Sequence, residues 1–170
     1  MKMTRVWAMP SKWTFEVKPL RAIIDAYKLP GQVWADPFAG FTSPAEYQND
    51  LNPESPALSH KEAQAFMDDL VSDPGVLDGV IFDPPYSLTQ VSRSYKDMGL
   101  QFKGKENPTG GFPKVRDRIA QLVHPGGHVI SYGWNTVGMG TGRGFERVEI
   151  LICCHGGNRN DTLVTVERRL

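Results

Sequence analysis

The sequence predicts an α/β fold built on a mostly parallel sheet that closes with an antiparallel C-terminal hairpin. Three observations carry this. Helix-like and strand-like segments alternate along the chain; an apolar, β-branched run from Val76 to Phe82 ends against Asp83 and two prolines; and two β-rich runs, Phe145 to Cys154 and Thr162 to Arg168, are joined by the polar loop His155 to Asp161. Alternation of this kind lays helices over a parallel sheet, whereas neighbouring strands joined by a short polar loop pair as a hairpin.

The elements follow in order. Lys18 to Tyr27 carries Pro19 in its first turn, Leu20, Ile23, Ile24 and Tyr27 at helical spacing, and Pro30-Gly31 as a stop, so it predicts a helix. Val33 to Asp36 is a short buried strand, and Glu46 to Asp50 a second one, weakened by Asn49 and Asp50. Ala63 to Val71 is an amphipathic helix that stops before Asp73-Pro74-Gly75. Val76 to Phe82 is the central strand, ended by prolines that cannot extend a ladder. Ser87 to Gly111 shows no clear period and is expected to be a long loop; loops of that length in compact domains are usually functional or disordered. Val115 to Val123 predicts a helix, His124 to Gly127 a turn, and His128 to Trp134 a further strand.

Composition narrows the classes. With 170 residues, 40% hydrophobic and 22% charged, the chain suits one globular domain over 1–170 rather than a disordered one. No apolar run approaches the roughly 20 residues needed to span a bilayer, and the N-terminal stretch with Trp7, Pro10 and Lys12 lacks a signal-peptide core. The expected location is the cytoplasm, with no membrane partner. Cys153 and Cys154 are adjacent inside an apolar run, without a second pair at metal-ligand spacing, so they are expected to be buried free thiols and no metal is expected. Net charge is +0, but Ser87 to Arg118 holds seven Lys or Arg against three Asp or Glu, leaving 12 against 16 elsewhere. One segment is basic.

In open parallel sheets ligands bind beyond the carboxyl ends of the strands. The residues there form four sets: Asp36-Pro37-Phe38-Ala39-Gly40, Asp83-Pro84-Pro85-Tyr86, Tyr132-Gly133-Trp134-Asn135 and Cys154-His155-Gly156-Gly157. Polar and aromatic groups on one edge suit a cofactor together with a flat, hydrogen-bonding substrate.

In these residues and their order the chain resembles the amino-methyltransferases of the DNA adenine type, including small phage-borne members. Asp83 to Tyr86 matches that family's catalytic motif in full. Phe15-Glu16-Val17-Lys18-Pro19 resembles the motif before the first helix, Asp36 to Gly40 the cofactor loop, Asp50-Leu51-Asn52-Pro53 the acidic end of the second strand, and Glu62-Ala63 the third motif, with Glu where Asp is common. The resemblance implies a Rossmann-like methyltransferase fold and S-adenosylmethionine as cofactor. The loop at Phe38 to Gly40, with Ala39 between, would lie under its methionine part, Asp50 would accept hydrogen bonds from the ribose hydroxyls and Glu62 would lie near the adenine, with Phe15, Lys18, Asp36, Pro37, Leu51, Asn52 and Ala63 as the other cofactor-binding residues. A carboxylate suits the two donors of a ribose diol, and glycine lets backbone approach a ligand closely.

The catalytic assignment has a physical basis of its own. An exocyclic amine on an aromatic ring is a poor nucleophile because its lone pair is delocalised. The Asp83 carboxylate and the Pro84 carbonyl can each accept one N–H bond, aiming the lone pair at a methyl donor, while Tyr86 gives the base a stacking face. Pro85 holds Pro84 extended and so aims that carbonyl.

Other residues carry two readings. Glu62 suits either a helix N-terminal acid or a cofactor ligand, His155 either its own hairpin turn or a hold on the target base, and Trp134 either core or substrate. His60, His124 and His128 show no partner pattern and read as structural. Arg93, Lys96, Lys103 and Lys105 in the basic segment are candidate phosphate contacts, with Tyr95 and Phe102 as stacking faces; the alternative is a solvated surface.

Two departures from the family stand out. Only 14 positions separate Asp36 from Asp50, so the helix between those strands must be short or absent. The chain also has no room for a separate target-recognition domain, so recognition must be short, relaxed, or supplied by a homodimer or partner. The expected activity is methylation of adenine N6 in DNA; cytosine N4, an RNA amine, or a non-catalytic protein that blocks restriction are the alternatives.

Overall fold

The computed structural model describes residues 1–70, 75–97, 99 and 112–170. Its frame is a seven-stranded sheet: β1 (Lys2–Trp7), β2 (Trp34–Asp36), β3 (Tyr47–Gln48), β4 (Leu77–Phe82), β5 (Val123–Gly133), β6 (Phe145–Cys154) and β7 (Thr162–Arg169) lie in the order β1-β6-β7-β5-β4-β2-β3. Only β7 runs antiparallel, pairing with both β5 and β6. The carboxyl ends of the other six strands therefore share one rim.

Helices cover both faces. Helix α1 (Lys18–Tyr27) sets Leu20, Ile23 and Ile24 against Trp34, Ile81, Ile130, Leu151 and Val164, a dry core on one face. On the other, α2 (Ala63–Leu70) and α4 (Pro113–Leu122) bring Phe66, Met67, Val115, Ile119 and Leu122 onto Leu77, Val80, Phe82 and Val129. Alternation along β4 explains the split, since Ile81 faces one layer and Val80 and Phe82 the other. Gly79 is required where it stands: it is level with Trp34 on β2, and a Cβ there would come within 2.5 Å of the fully buried indole.

The expected helices and most strands are present with small shifts in their ends, and four features differ. Strand β1 was not foreseen; it adds to the edge of the sheet beside β6, from Lys2 opposite Glu149 to Trp7 opposite Cys154. β3 is only two residues long: Asn49, expected inside it, still donates its N–H to the Asp36 carbonyl (3.0 Å) but forms an isolated parallel bridge with Ser59 instead of extending the strand. β5 begins at Val123 rather than His128, with the His124 to Gly127 turn accommodated as an irregularity between the Leu77–Val123 and Gly79–His128 pairs. Finally, Leu88–Asp97 within the expected loop is a helix, α3. Residues 100–111, including Phe102, Lys103 and Lys105, lie outside the described residues. Between Asp36 and Tyr47 the chain makes only turns, in keeping with the short interval between the two acidic strand ends.

Cys153 and Cys154 are buried and free. Among the described residues no helix is long and apolar enough to cross a membrane, and no cluster of three or more His, Cys, Asp or Glu could hold a metal ion.

Candidate active site

The site forms where β2, β4 and β5 end. Asp36 closes β2 fully buried, with Oδ1 accepting the Phe38 N–H (2.9 Å) and Oδ2 the Ser43 hydroxyl (2.6 Å). Burial, with a smaller push from Asp83 and Asp50, raises its pKa from 3.8 to about 7 despite those two hydrogen bonds. The loop after it turns through Gly40 at φ 56°, a left-handed conformation that favours glycine. Its Gly40 N–H is bonded to Asp50 Oδ2 at 2.8 Å, while Asp50 Oδ1 accepts the Asn52 N–H at 2.8 Å. A carboxylate offers about four lone-pair sites, so Asp50 retains acceptor capacity beyond those two bonds. Phe38 is wedged edge-on between Phe82 (5.7 Å) and Phe112 (5.0 Å), which fixes the loop against the end of β4.

Asn49, fully buried, clasps this loop to the next segment. Its Nδ2 donates to the Pro37 and Lys61 carbonyls (3.1 and 2.9 Å), and its Oδ1 accepts the Ser59 hydroxyl and the Lys61 N–H (2.8 and 2.9 Å). Every side-chain hydrogen-bonding group of the amide is thus satisfied, as a buried polar group requires.

Asp83 ends β4. Its carboxylate accepts a short hydrogen bond from the Tyr86 hydroxyl and another from the Thr14 side chain; burial outweighs both and raises its pKa above the ordinary aspartate value. The Tyr86 phenol is pushed well above 10 by burial and by the adjacent carboxylate. Tyr86 is braced at two points: its N–H donates to Gln90 Oε1 on α3 (2.5 Å), and its ring meets Trp134 edge to face at 5.7 Å. Trp134 is itself 42% exposed, so it stands at the rim rather than in the core.

A cleft runs from Asp83 along the loop. Thr14 and Phe15 form one wall, Phe38 to Gly40 the other, and the Trp13 and Phe41 rings, 4.4 Å apart, flank it. Trp13 carries Lys12 Nζ at 4.6 Å from its ring centre. Phe15 is 6% exposed and packs on Tyr132, so it supports the wall from the core side.

The expected residues therefore separate into groups. Phe15, Phe38, Ala39, Gly40 and Asp83 line one cleft, Asp36 and Asp50 lock its loop, and Tyr86 and Trp134 stand together beside it. Pro84 is buried and Pro85 partly so, while Leu51 and Asn52 are half-buried at the Asp50 turn. Lys18 is exposed at the start of α1 and does not line the cleft, and Ala63 packs into the α2 core. Glu62, exposed before α2, accepts a hydrogen bond from the Tyr95 hydroxyl on α3 at 2.9 Å. Lys96 is exposed on α3; Arg93 lies on the same helix, its side chain outside the described ones. His155 departs from a base-holding role. Its Nδ1 bonds the Ala8 carbonyl and its Nε2 the Thr162 hydroxyl, each at 2.9 Å, so Nδ1 ties the end of β1 to the hairpin and Nε2 ties the hairpin's own two sides together.

Sequence reasoning missed Trp13, Thr14 and Phe41. Phe41 and Thr14 immediately adjoin motifs that were singled out, which is the one signal that marks them.

No family model matches the chain, and no curated protein matches it in sequence. Solved structures match it in fold. The 1,6-didemethyltoxoflavin-N1-methyltransferase of Burkholderia thailandensis, crystallised with 1,6-didemethyltoxoflavin and S-adenosylhomocysteine, aligns over 89% of this chain and 77% of its own, with TM-score 0.56 and 14% identity. TrmN from Thermus thermophilus aligns over 89% of this chain and 49% of its own, with TM-score 0.51 and 19% identity. The chain spans about half the length of TrmN. Its fold is the Rossmann-like methyltransferase fold.

Proposed function

We propose that the chain is an S-adenosylmethionine-dependent amino-methyltransferase acting on adenine N6 in DNA, as the resemblance to the adenine-type family implies. The observation that carries this reading is the position of Asp83: its carboxylate stands at the end of the cleft formed by the Phe38 to Gly40 loop, beside the braced ring of Tyr86.

The residues present fit the cofactor. Asp36, Asp50 and Asp83 bring three carboxyl groups close enough for the last two to raise the pKa of the first, and a cationic ligand relieves that repulsion. Asp50 keeps lone pairs for a ribose diol, and the glycine at position 40 keeps the loop low. When bound, S-adenosylmethionine supplies an electrophilic methyl group. The chain's own part is to position the amine. Asp83 and the Pro84 carbonyl accept its two hydrogens, fixing the lone pair toward the cleft, and Asp83 is the first acceptor for the proton lost on transfer. The Tyr86 ring carries the base, and Trp134 keeps that ring from turning.

Asp83→Ala is expected to abolish methyl transfer while leaving S-adenosylmethionine affinity within a few-fold. Turnover is measured with labelled cofactor on DNA and RNA, followed by digestion to nucleosides; calorimetry measures the affinity. A variant that keeps most of its activity removes Asp83 from the mechanism, and label in cytosine or in RNA reassigns the substrate.

A further inference from the structure

Strand β1 brings to the rim a set of groups that the site does not use. It ends at Trp7, beside the end of β6, so its last residues stand on the edge that carries Asp83. Residues 1–15 contain Lys2, Arg5 and Lys12 and no acidic residue. Lys2 is held by Glu149 at 2.8 Å; among the described residues Lys12 and Arg159 form no salt bridge, nor does Arg5, whose Nε donates to Cys154 Sγ at 3.2 Å and whose charge is favoured by the Asp161 carboxylate. Trp7 is 68% exposed: the Arg5 guanidinium lies 5.4 Å from its ring centre, and Gly156 of the hairpin loop lies beside it, where a Cβ would stand in ordinary contact with the indole at 3.6 Å. Met9, 83% exposed, continues the surface toward Lys12 and the cleft.

An exposed indole with cations beside it matches the chemistry of a DNA strand, which offers phosphates to the cations and the faces of its sugars to the indole. A second copy of the chain is the poorer occupant, because two such surfaces would bring like charges together.

We infer that Arg5, Trp7 and Arg159 bind the DNA strand that flanks the target base, so that β1 and the hairpin loop extend the substrate site along the rim. This rests on the proposed activity on DNA. From β4 to β1 are four strand spacings, about 19 Å. That distance corresponds to about six nucleotide steps of B-form DNA, so the contact lies that far from the target adenine, on one side only.

The test compares three fluorescent duplexes by anisotropy, one with ten nucleotides on each side of the target and two cut to three nucleotides, one on each side. Arg5→Ala with Arg159→Ala is expected to lower the log–log salt slope on the long duplex by about 1.8. Trp7→Ala is expected to weaken binding to it several-fold, through the lost packing of the indole on the strand. Neither changes binding to the duplex cut on the contacted side, nor the affinity for S-adenosylmethionine, and melting curves confirm that both variants fold. Arg159→Ala alone, in an exposed loop, keeps the question open should Arg5→Ala unfold β1. Wild-type affinity and slope in variants that fold overturn the assignment, as does a dimer in sedimentation that Trp7→Ala splits. If the wild type binds and methylates DNA while the variants match it, only this surface falls. If the wild type neither binds nor methylates DNA, the activity falls with it.

Discussion

In the proposed mechanism Asp83 serves only as a carboxylate, because it would accept hydrogen bonds from an amine, and its setting works against ionisation. Burial raises its pKa; the hydrogen bonds from Thr14 and Tyr86 oppose that rise. The sign follows directly. Activity grows as pH passes upward through the Asp83 pKa, and removing either donor moves that acid limb to higher pH. Thr14→Val and Tyr86→Phe are each expected to shift the limb of kcat upward while cofactor affinity stays within a few-fold, and Thr14→Ser is expected to restore the wild-type profile. Superimposable pH profiles would show that neither hydroxyl tunes the carboxylate. Asp36 yields a second test. Its pKa of about 7 lies well above the ordinary 3.8, so the stability tied to its neutral form is fully present below the ordinary carboxyl range and is lost as pH rises through about 7. A cationic cofactor lowers that pKa, so binding at pH 7 is expected to release about half a proton. Calorimetry in buffers of different ionisation enthalpy measures the release. Asp36→Asn keeps an acceptor for the Phe38 N–H and is expected to abolish it; an unchanged proton count would place the effect elsewhere.

At the scale of elements, legibility tracked how much of each signal is local. Helix α1 carries its own start, periodicity and stop, and β4 its apolar run with two prolines behind it, so both could be read directly. The same holds for the place of Asp83 to Tyr86 immediately after β4, which four consecutive residues mark. Strand β1 was not legible because Lys2, Met3, Arg5 and Trp7 are exposed and only Thr4 and Val6 are half-buried, as befits an edge strand. Its pairing is set by β6, nearly 150 residues away. Helix α3 was passed over although Leu88, Val91 and Tyr95 have helical spacing, because the glycine- and lysine-rich residues after it diluted the pattern across the segment. Asn49 weakens the strand signal in the sequence, and β3 does stop at Gln48, although the Asn49 N–H still reaches the Asp36 carbonyl. What the sequence could not convey is that its amide joins the cofactor loop to the approach to α2, work done by tertiary hydrogen bonds. Thr14 belongs to the same class: it reaches Asp83 only because the turn before α1 is brought to the end of β4.

Across the whole molecule, the short connections keep the rim open. Turns replace a helix between β2 and β3, and from Trp134 to Gly144 the chain has only a single 3-10 turn, at Thr141–Arg143. A ligand seated on the rim binds the folded chain alone, since Asp36, Asp50 and Asp83 come together only through the sheet, and it must therefore raise the melting temperature. At a concentration of one hundred times its dissociation constant the gain is about 2.7 kcal/mol, or about 5 to 10 °C for a chain of this length. Asp50→Ala is expected to weaken S-adenosylmethionine by about 1 to 3 kcal/mol, the scale of a lost charge-assisted hydrogen bond, and so to remove between about a third and nearly all of that shift at the same ligand concentration. The variant also loses the bonds to the Gly40 and Asn52 N–H groups, so its melting temperature falls without ligand. The quantity to compare is therefore the ligand-induced shift in each protein, measured from its own baseline. Asp50→Asn, which retains an acceptor for one of those N–H groups, separates the two effects: a nearly normal baseline with a reduced shift assigns Asp50 to the cofactor. Equal shifts in wild type and both variants would leave Asp50 only its structural bonds and move the ribose contact elsewhere along the rim.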